Sequence, residues 1–600
     1  GEKMEKEMLR SEQKIENTWD LSKIYASISD YEKDYDVVKK LMSNISKYQT
    51  HILDSSKSLL ELLDLDQKTE RIIGKMANYA YRKYDEDLSN VDSQKLVGNF
   101  DKLYTEYSQN GSFIVPEILK GDYSLIEKYI KEEEGLKEYE LLLKRIFRNK
   151  PHVLSEKEEN ILSSMQLIAG EPEKIAGIIR NSELQFQTIK DENGNEVKLT
   201  NENFMIYLKS RDRRVRKDAF EALYSSYNKY KETLAETLQG HVMVLSNSSK
   251  LRGFSSSKEA SLFSNRVNTK VYDNLIKVVH DRMNVVYDYF KLKKEALKLD
   301  DFCLYDTYVN LEEGIDKKYT YEEAKKIVLD VVKVFGEDYQ KTVQSAFDNR
   351  WIDIYPNKAK RGGAYSSGSY DTLPYILLNF QGEYNDVSTL IHEMGHSMHS
   401  YYSNQNNPYL YSGYKIFVAE VASTVNEMLL NYYMLEHASD NKEKRAILSD
   451  MMDLFKSTIY RQTMFSEFED FIFNEFENGN VLTNELLSNK YYELNKLYFG
   501  DDVIINDDIK YEWERIPHLY YDFYVYQYAT GLSAACYIVK RILNHEENAV
   551  SDYLKFLSTG DSMDSIEELK VAGVDMEDEK VINGAIDMFQ EIINEYRSLM

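Results

Sequence analysis

His392 and His396 stand one helical turn apart in the run His392-Glu393-Met394-Gly395-His396, with a carboxylate beside the first imidazole. On a helix, side chains at i and i+4 leave from one face, so the two rings can grip a single Zn²⁺ while Glu393 lies next to a metal-bound water. The chemistry such a set performs is hydrolysis by an activated water, with Glu393 as the base. With 10 His in 600 residues, and Glu at roughly one position in ten, the pattern arises by chance in about one or two of every hundred such chains. A surface helix carrying two unrelated histidines is the alternative.

The motif requires a helix, and the flanks supply one. Val387, Leu390, Ile391 and Met394 form an apolar stripe at helical spacing, and Asp386 sits where an acid favours the helix dipole. A catalytic zinc also needs a third protein ligand and a position left to water. Residues 397–419 contain no Asp, Glu or Cys, and their only imidazole is His399. At ~1.5 Å rise per residue, His399 lies about 10 Å along the axis from His392, too far to share a metal. It reads as a packing or supporting histidine. Asn404-Gln405-Asn406-Asn407-Pro408 breaks the pattern, and Phe417-Val418-Ala419-Glu420-Val421-Ala422-Ser423-Thr424 begins a returning helix. Glu420 is the first carboxylate available on it, among small apolar neighbours that suit a buried face. Glu427, two turns further on, is placed either to orient a ligand imidazole or to form a surface ion pair.

The metzincin spacing fails, because it demands Gly and His where His399 and Tyr402 stand. The run from His392 to His399, followed by Glu420 in an FVAE helix, is similar instead to the oligopeptidase F branch of the M3 (thimet oligopeptidase) family of zinc metallopeptidases. The resemblance extends upstream to Gly363-Ala364-Tyr365-Ser366, Pro374-Tyr375-Ile376-Leu377-Leu378-Asn379 and Asp386. Downstream it takes in Arg515-Ile516-Pro517-His518 and a tyrosine-rich run, and near the start Asn17-Thr18-Trp19-Asp20-Leu21, so it covers almost the whole chain. It implies a predominantly α-helical, elongated multi-helix body with a deep substrate channel, the zinc at its floor and a small β-sheet beside the zinc helix. It further implies one Zn²⁺ per chain, held by His392, His396 and Glu420, and cleavage of internal bonds in short unstructured peptides. A zinc exopeptidase is the second enzymatic reading.

A peptidase transition state places negative charge on the former carbonyl oxygen, and phenol and imidazole donors aimed there stabilise it. In the family a His and tyrosines of the tyrosine-rich run serve this purpose. By position these are His518 and Tyr524, with Tyr528 also aligned and Tyr521 placed beside the substrate. The sequence departs from the thimet and dipeptidyl branches at Gly531, where those have another tyrosine. Plain aromatic core is the alternative in a chain with 49 Tyr. Upstream, residues 361–368 read as a flexible loop between two strand-like runs, 351–355 and 375–380. A sheet there offers an edge on which an extended peptide can pair, with Gly363, Ala364 and Tyr365 as its backbone contacts.

Along the chain three stretches are expected: residues 1–110 as helical hairpins, 111–200 closing in a β-hairpin with its turn at Asn193-Gly194, and 201–600 as the catalytic region. Only 7 Pro, with abundant Glu, Lys, Leu and Tyr, favours helix. Cys303 and Cys536 are far apart and make no disulfide framework, which fits a reducing, cytoplasmic compartment. The first residues are polar and lack an apolar core, so no signal peptide is expected, with residues 1–3 read as an added remnant. No apolar run is long enough to span a membrane.

A net charge of −26 argues against nucleic acid as a general partner. The one dense basic cluster, Arg211-Asp212-Arg213-Arg214-Val215-Arg216-Lys217, reads as a solvated helix face. Neither a P-loop nor a GxGxxG run is present, so nucleotide chemistry has no foothold. An inactive peptide-binding scaffold would need the groove but no base, and Glu393 is intact.

Overall fold

The computed structural model describes residues 7–312, 314 and 317–600. Helices dominate, and the described residues include two small sheets. The chain forms two compact units, each assembled from three separate segments. The first comprises Gly1–Pro151, Asp316–Leu430 and Arg541–Gly573, and the second His152–Ile315, Asn431–Lys540 and Val574–Met600. None of the described helices is long and apolar enough to cross a membrane.

In the first unit the core is laid down by N-terminal helices. The longest, Ser56–Glu86, starts where the Ser55 hydroxyl accepts the Ser58 N–H, and it buries Leu59, Leu62, Leu63, Ile73 and Met76. Three strands pack on this core: β3 (Ile352–Asp353), β4 (Tyr365–Ser367) and β5 (Tyr375–Leu377), in the order β3-β5-β4. β3 runs parallel to β5, and β4 antiparallel to it with Ser366 opposite Ile376. Tyr375 and Leu377 join the N-terminal core, where Trp19 stands edge-on to Tyr375 at 6.2 Å. The Asn17-Thr18-Trp19-Asp20 segment also ties the sheet by backbone. The Asn17 carbonyl accepts the Ile354 N–H at 3.0 Å, and the Asp20 carbonyl accepts the Tyr375 hydroxyl at 2.8 Å.

The segment expected to be a flexible loop thus contains an edge strand. The reason is tertiary: Tyr365 donates its hydroxyl to Asp85, and the Arg82 guanidinium lies 4.6 Å above its ring. Asn379 donates to the carbonyls of Arg361 and Gly363 at 3.0 and 2.8 Å. These contacts fix a stretch whose own composition offers little.

The motif helix, Tyr384–Asn406, follows directly. Asp386 accepts the backbone N–H groups of Gln381 and Glu383, each at 2.9 Å, which closes its first turn. Val387, Leu390, Ile391, Met394 and Met398 are fully buried along one face. At about 1.5–3 kcal/mol apiece, that burial anchors the helix firmly enough to serve as a fixed platform.

In the second unit, helices Glu156–Ala169 and Glu171–Ile178 precede the expected hairpin, β1 (Thr188–Lys190) against β2 (Glu196–Lys198), turning at Gly194 with φ +81°. The basic cluster is only in part the solvated face that its charge suggests: Arg211, Arg214 and Lys217 are exposed, but Arg213 and Arg216 turn to a buried acid. Arg213 and Arg216 reach Asp306 at 2.9 and 2.8 Å, and both Asp306 and Arg216 are buried. A buried carboxylate must be paired, so these two arginines are drawn inward. A second buried network centres on Glu512, which accepts from Tyr224 at 2.8 Å and Arg461 at 2.9 Å, with Tyr491 as its third donor. It holds the 3₁₀ stretch Asp507–Arg515 that leads to Pro517–Tyr520 and then helix Tyr526–Leu543.

Candidate metal centre

Three donor atoms converge in the first unit. His392 Nε2 and His396 Nε2 are 3.2 Å apart, and Glu420 Oε2 lies 3.5 and 3.4 Å from them. Ligands on a tetrahedral zinc at about 2.0–2.1 Å are about 3.3 Å from one another, so these separations match the edges of such a tetrahedron. Among the described residues no other group of His, Cys, Asp and Glu side chains gathers in this way.

The tautomer is also set. His392 Nδ1 meets Glu427 Oε1. A carboxylate there holds the proton on Nδ1 and leaves Nε2 as a lone pair aimed at its neighbours. Two imidazole nitrogens facing each other at this distance are joined either by one shared proton or by a cation that both can ligate. The three donors therefore fit a zinc ion.

Glu420 occupies the break between the short helix Ile416–Ala419 and helix Val421–Glu436, with the Ser423 hydroxyl donating to its Oε2 at 3.0 Å. It is exposed, and the His396 imidazole holds its pKa at about 2. Gly395 explains how this segment comes so near. A Cβ at Gly395 would lie 2.7 Å from Ser423 Cα and 2.8 Å from the Ala422 carbonyl oxygen, so only glycine lets the two backbones touch. Asn426 completes the join by donating to the Ile391 carbonyl at 3.1 Å.

Glu393 is buried beside the ligands. Burial raises its pKa, opposed by the two imidazoles and the Ser366 backbone amide and reinforced by Glu420. Burial disfavours charge on His392, but Glu427, Glu393 and Glu420 outweigh it, so the field favours positive charge at this point. His399 plays no part in the cluster. It is fully buried, stacks on Tyr414 at 3.8 Å, and burial pushes its pKa down to about 3, which makes it a neutral packing ring.

The segment carrying Gly363, Ala364 and Tyr365 belongs to the same unit. β4 is the outer strand of its sheet, and Ser366 Oγ meets Ser397 Oγ of the motif helix at 2.8 Å. The other predicted residues gather in the second unit. His518 lies 5.2, 6.5 and 6.2 Å from the rings of Tyr521, Tyr524 and Tyr528, and Tyr524 stands edge-on to Tyr528 at 5.5 Å. Tyr521 and Tyr528 are exposed, and burial lowers the His518 pKa, favouring the neutral ring.

Sequence reasoning missed Ser423, which acts on Glu420 three residues before it, and Asn426, Ser397 and Asp85, whose roles come from partners distant in the chain. Gly395 had a signal: glycine inside a helix costs about 1 kcal/mol against alanine, so its presence points to a close approach.

Comparison with known proteins places the chain in a family. The family described as Peptidase family M3 matches residues 206–588, and the one described as Oligopeptidase F matches residues 117–186. The chain is 42% identical to oligopeptidase PepF of Bacillus subtilis over 98% of its own length and 88% of that protein. It is 39% identical to the group B oligopeptidase PepB of Streptococcus agalactiae over 97% of each. The crystal structure of oligoendopeptidase-F from Enterococcus faecium superposes with a TM-score of 0.73 at 33% identity, covering 95% of this chain and 99% of that one. With two imidazoles and a carboxylate poised for a metal and a family match over most of its length, the chain belongs to peptidase family M3, in the oligopeptidase F branch, and is a metallo-endopeptidase.

Proposed function

We propose that this chain hydrolyses internal bonds of short unstructured peptides using one zinc ion held by His392, His396 and Glu420, with Glu393 as the general base. The observation that carries the reading is the convergence of the three donor atoms at tetrahedral separations with the Glu393 carboxyl buried beside them. Bound there, zinc supplies Lewis acidity that lowers the pKa of water toward ~7 and polarises a carbonyl. Glu393 takes the proton from the attacking water and delivers it to the leaving amine.

The peptide is held extended along β4, where backbone pairing at Gly363, Ala364 and Tyr365 binds it with little demand on sequence. His518 and Tyr524, with Tyr528, donate hydrogen bonds to the oxygen that becomes negative, and Tyr521 contacts the substrate. Their clustering and partial exposure support that role. Cys303 and Cys536 are buried free thiols, which supports a reducing cytoplasmic setting.

Glu393→Gln tests the assignment. The amide cannot accept the proton, so turnover should fall by more than about 10³-fold while zinc stays bound in full, because Glu393 is not a ligand. A metal-free variant, or one that cleaves at the normal rate, removes Glu393 from the role.

A further inference from the structure

We propose that Glu469 and Ser261 are positioning residues that hold a two-residue left-handed turn, Asp522-Phe523, and thereby set where Tyr521 and Tyr524 point. The inference rests on the reading of Tyr524 as an oxyanion donor. Residues 518–528 contain no glycine, yet Asp522 and Phe523 both have left-handed backbone, with φ +56° and +58°. L-residues avoid this region because Cβ crowds the carbonyl, and two in succession persist only where the surroundings impose them.

The imposing groups come from three helices of the second unit. The Phe523 N–H donates to Glu469 Oε1 on helix Gln462–Glu477, and the Asp522 carbonyl accepts from the Ser261 hydroxyl on helix Ser257–Ser264. His241 Nε2, from helix Lys231–Leu251, meets the Asp522 carboxylate at 3.1 Å. The Phe523 ring is buried against Phe473 and Tyr272 at 4.8 and 5.7 Å. The turn separates Tyr521 from Tyr524 in the chain and leaves their rings 6.3 Å apart, both beside His518.

Glu469 is fully buried, and its Oε2 has no hydrogen-bond partner. Burial raises its pKa well above the ordinary range; the Phe523 N–H opposes this, while Asp522 and Asp470 add to it. An apolar side chain would sit at such a place more cheaply. A buried carboxyl has a purpose where one of its oxygens is in use, and the oxygen in use receives the Phe523 amide.

The test uses the zinc-loaded enzyme and one internally cleaved peptide. Glu469→Met keeps a comparable volume but has no acceptor oxygen, so kcat should fall about 10- to 100-fold with KM within about twofold. Glu469→Gln retains an acceptor and should keep at least about half of the kcat, and Ser261→Ala should lose about 3- to 10-fold. Hydrogen exchange read by mass spectrometry should run at least about tenfold faster across residues 521–526 in Glu469→Met, with the motif helix unchanged. Tyr524→Phe alone should lower kcat by about 10²–10³, and adding Glu469→Met to it should cost less than about threefold more, since both act through one phenol.

A fall in kcat for Tyr524→Phe with wild-type kcat and exchange in Glu469→Met overturns the positioning role and leaves the donor reading standing. Unchanged kcat in Tyr524→Phe with fast exchange in Glu469→Met does the reverse. Should Glu469→Met fail to fold, wild-type kcat in Ser261→Ala or a lost kcat in Glu469→Gln overturns the proposal.

Discussion

At the scale of single residues, the metal centre separates three kinds of carboxylate by what each touches. Glu420 faces both imidazoles, Glu427 faces only the far nitrogen of His392, and Glu393 faces neither nitrogen at bonding distance. Zinc retention should follow that order. Glu420→Ala leaves two imidazoles, a weak site, and should arrive without metal after dialysis. Glu427→Ala keeps all three ligands but frees the His392 ring, so affinity should drop about 10- to 100-fold. A chelator titration measures both. Equal zinc content in Glu420→Ala would pass the ligand role to another group, with Glu427 the first candidate. The sequence left Glu427 between a ligand-orienting role and a surface ion pair, because a position two turns along a helix says nothing of what packs opposite. The fold places it against His392.

At the scale of elements, the centre depends on how closely the motif helix approaches the Glu420 segment. Gly395→Ala should gain about 1 kcal/mol of helix propensity, but its Cβ would meet backbone atoms of Ala422 and Ser423 that cannot rotate aside. Overpacking of that kind costs about 1–3 kcal/mol, so the clash wins and the Glu420 segment is pushed off. The expected result is a lower melting temperature and zinc affinity reduced at least about tenfold. A variant more stable than the parent with unaltered zinc affinity would show that the approach is not tight. The motif helix was legible in the sequence from its apolar stripe and its acid near the start. Strand β4 was not, since residues 361–368 carry a loop-like composition and are ordered by Asp85 and Asn379.

At the scale of the whole molecule, substrate selection and acid stability follow from how the units are built. A peptide paired along β4 must offer extended backbone, so one internal sequence should be cut when free and spared inside a folded domain. Acetylating and amidating its termini should change the rate by less than about threefold, because β4 pairing engages backbone and not chain ends. Loss of cutting on capping would favour an exopeptidase. Stability should respond to Glu512. Burial opposes its charge, but Arg461 and Arg515, with the Tyr491 hydroxyl, bring its pKa down to about 2, below the ~4.3 of an unfolded Glu. Its contribution is therefore present above ~4.3 and is lost as the pH falls toward 2. Glu512→Gln leaves the Arg461 charge buried without its partner and should cost about 3–5 kcal/mol at neutral pH. The gap in melting temperature between parent and variant should be widest at pH 6, begin to shrink below ~4.3 and close mostly between about pH 3.5 and 2. A gap independent of pH would mean that Glu512 carries no charge in the fold.

What the sequence determined by itself is what short-range geometry encodes. The i, i+4 spacing puts two imidazoles on one face, the apolar stripe supplies the helix, Asn193-Gly194 makes the hairpin, and scarce proline gives a helical class. What only the tertiary structure decided is what long-range packing encodes. His399 proved a packing ring, Arg213 and Arg216 turned inward to Asp306, and Gly395 proved a point of contact between backbones. A reading along the chain divides it into consecutive stretches, whereas each compact unit gathers three separated segments. The left-handed pair at Asp522-Phe523 has no signal in its own residue types, because its conformation is imposed by Glu469, Ser261 and His241 from other helices. Periodicity records which way a side chain leaves its own element; it does not record which atoms, hundreds of residues away, that side chain will meet.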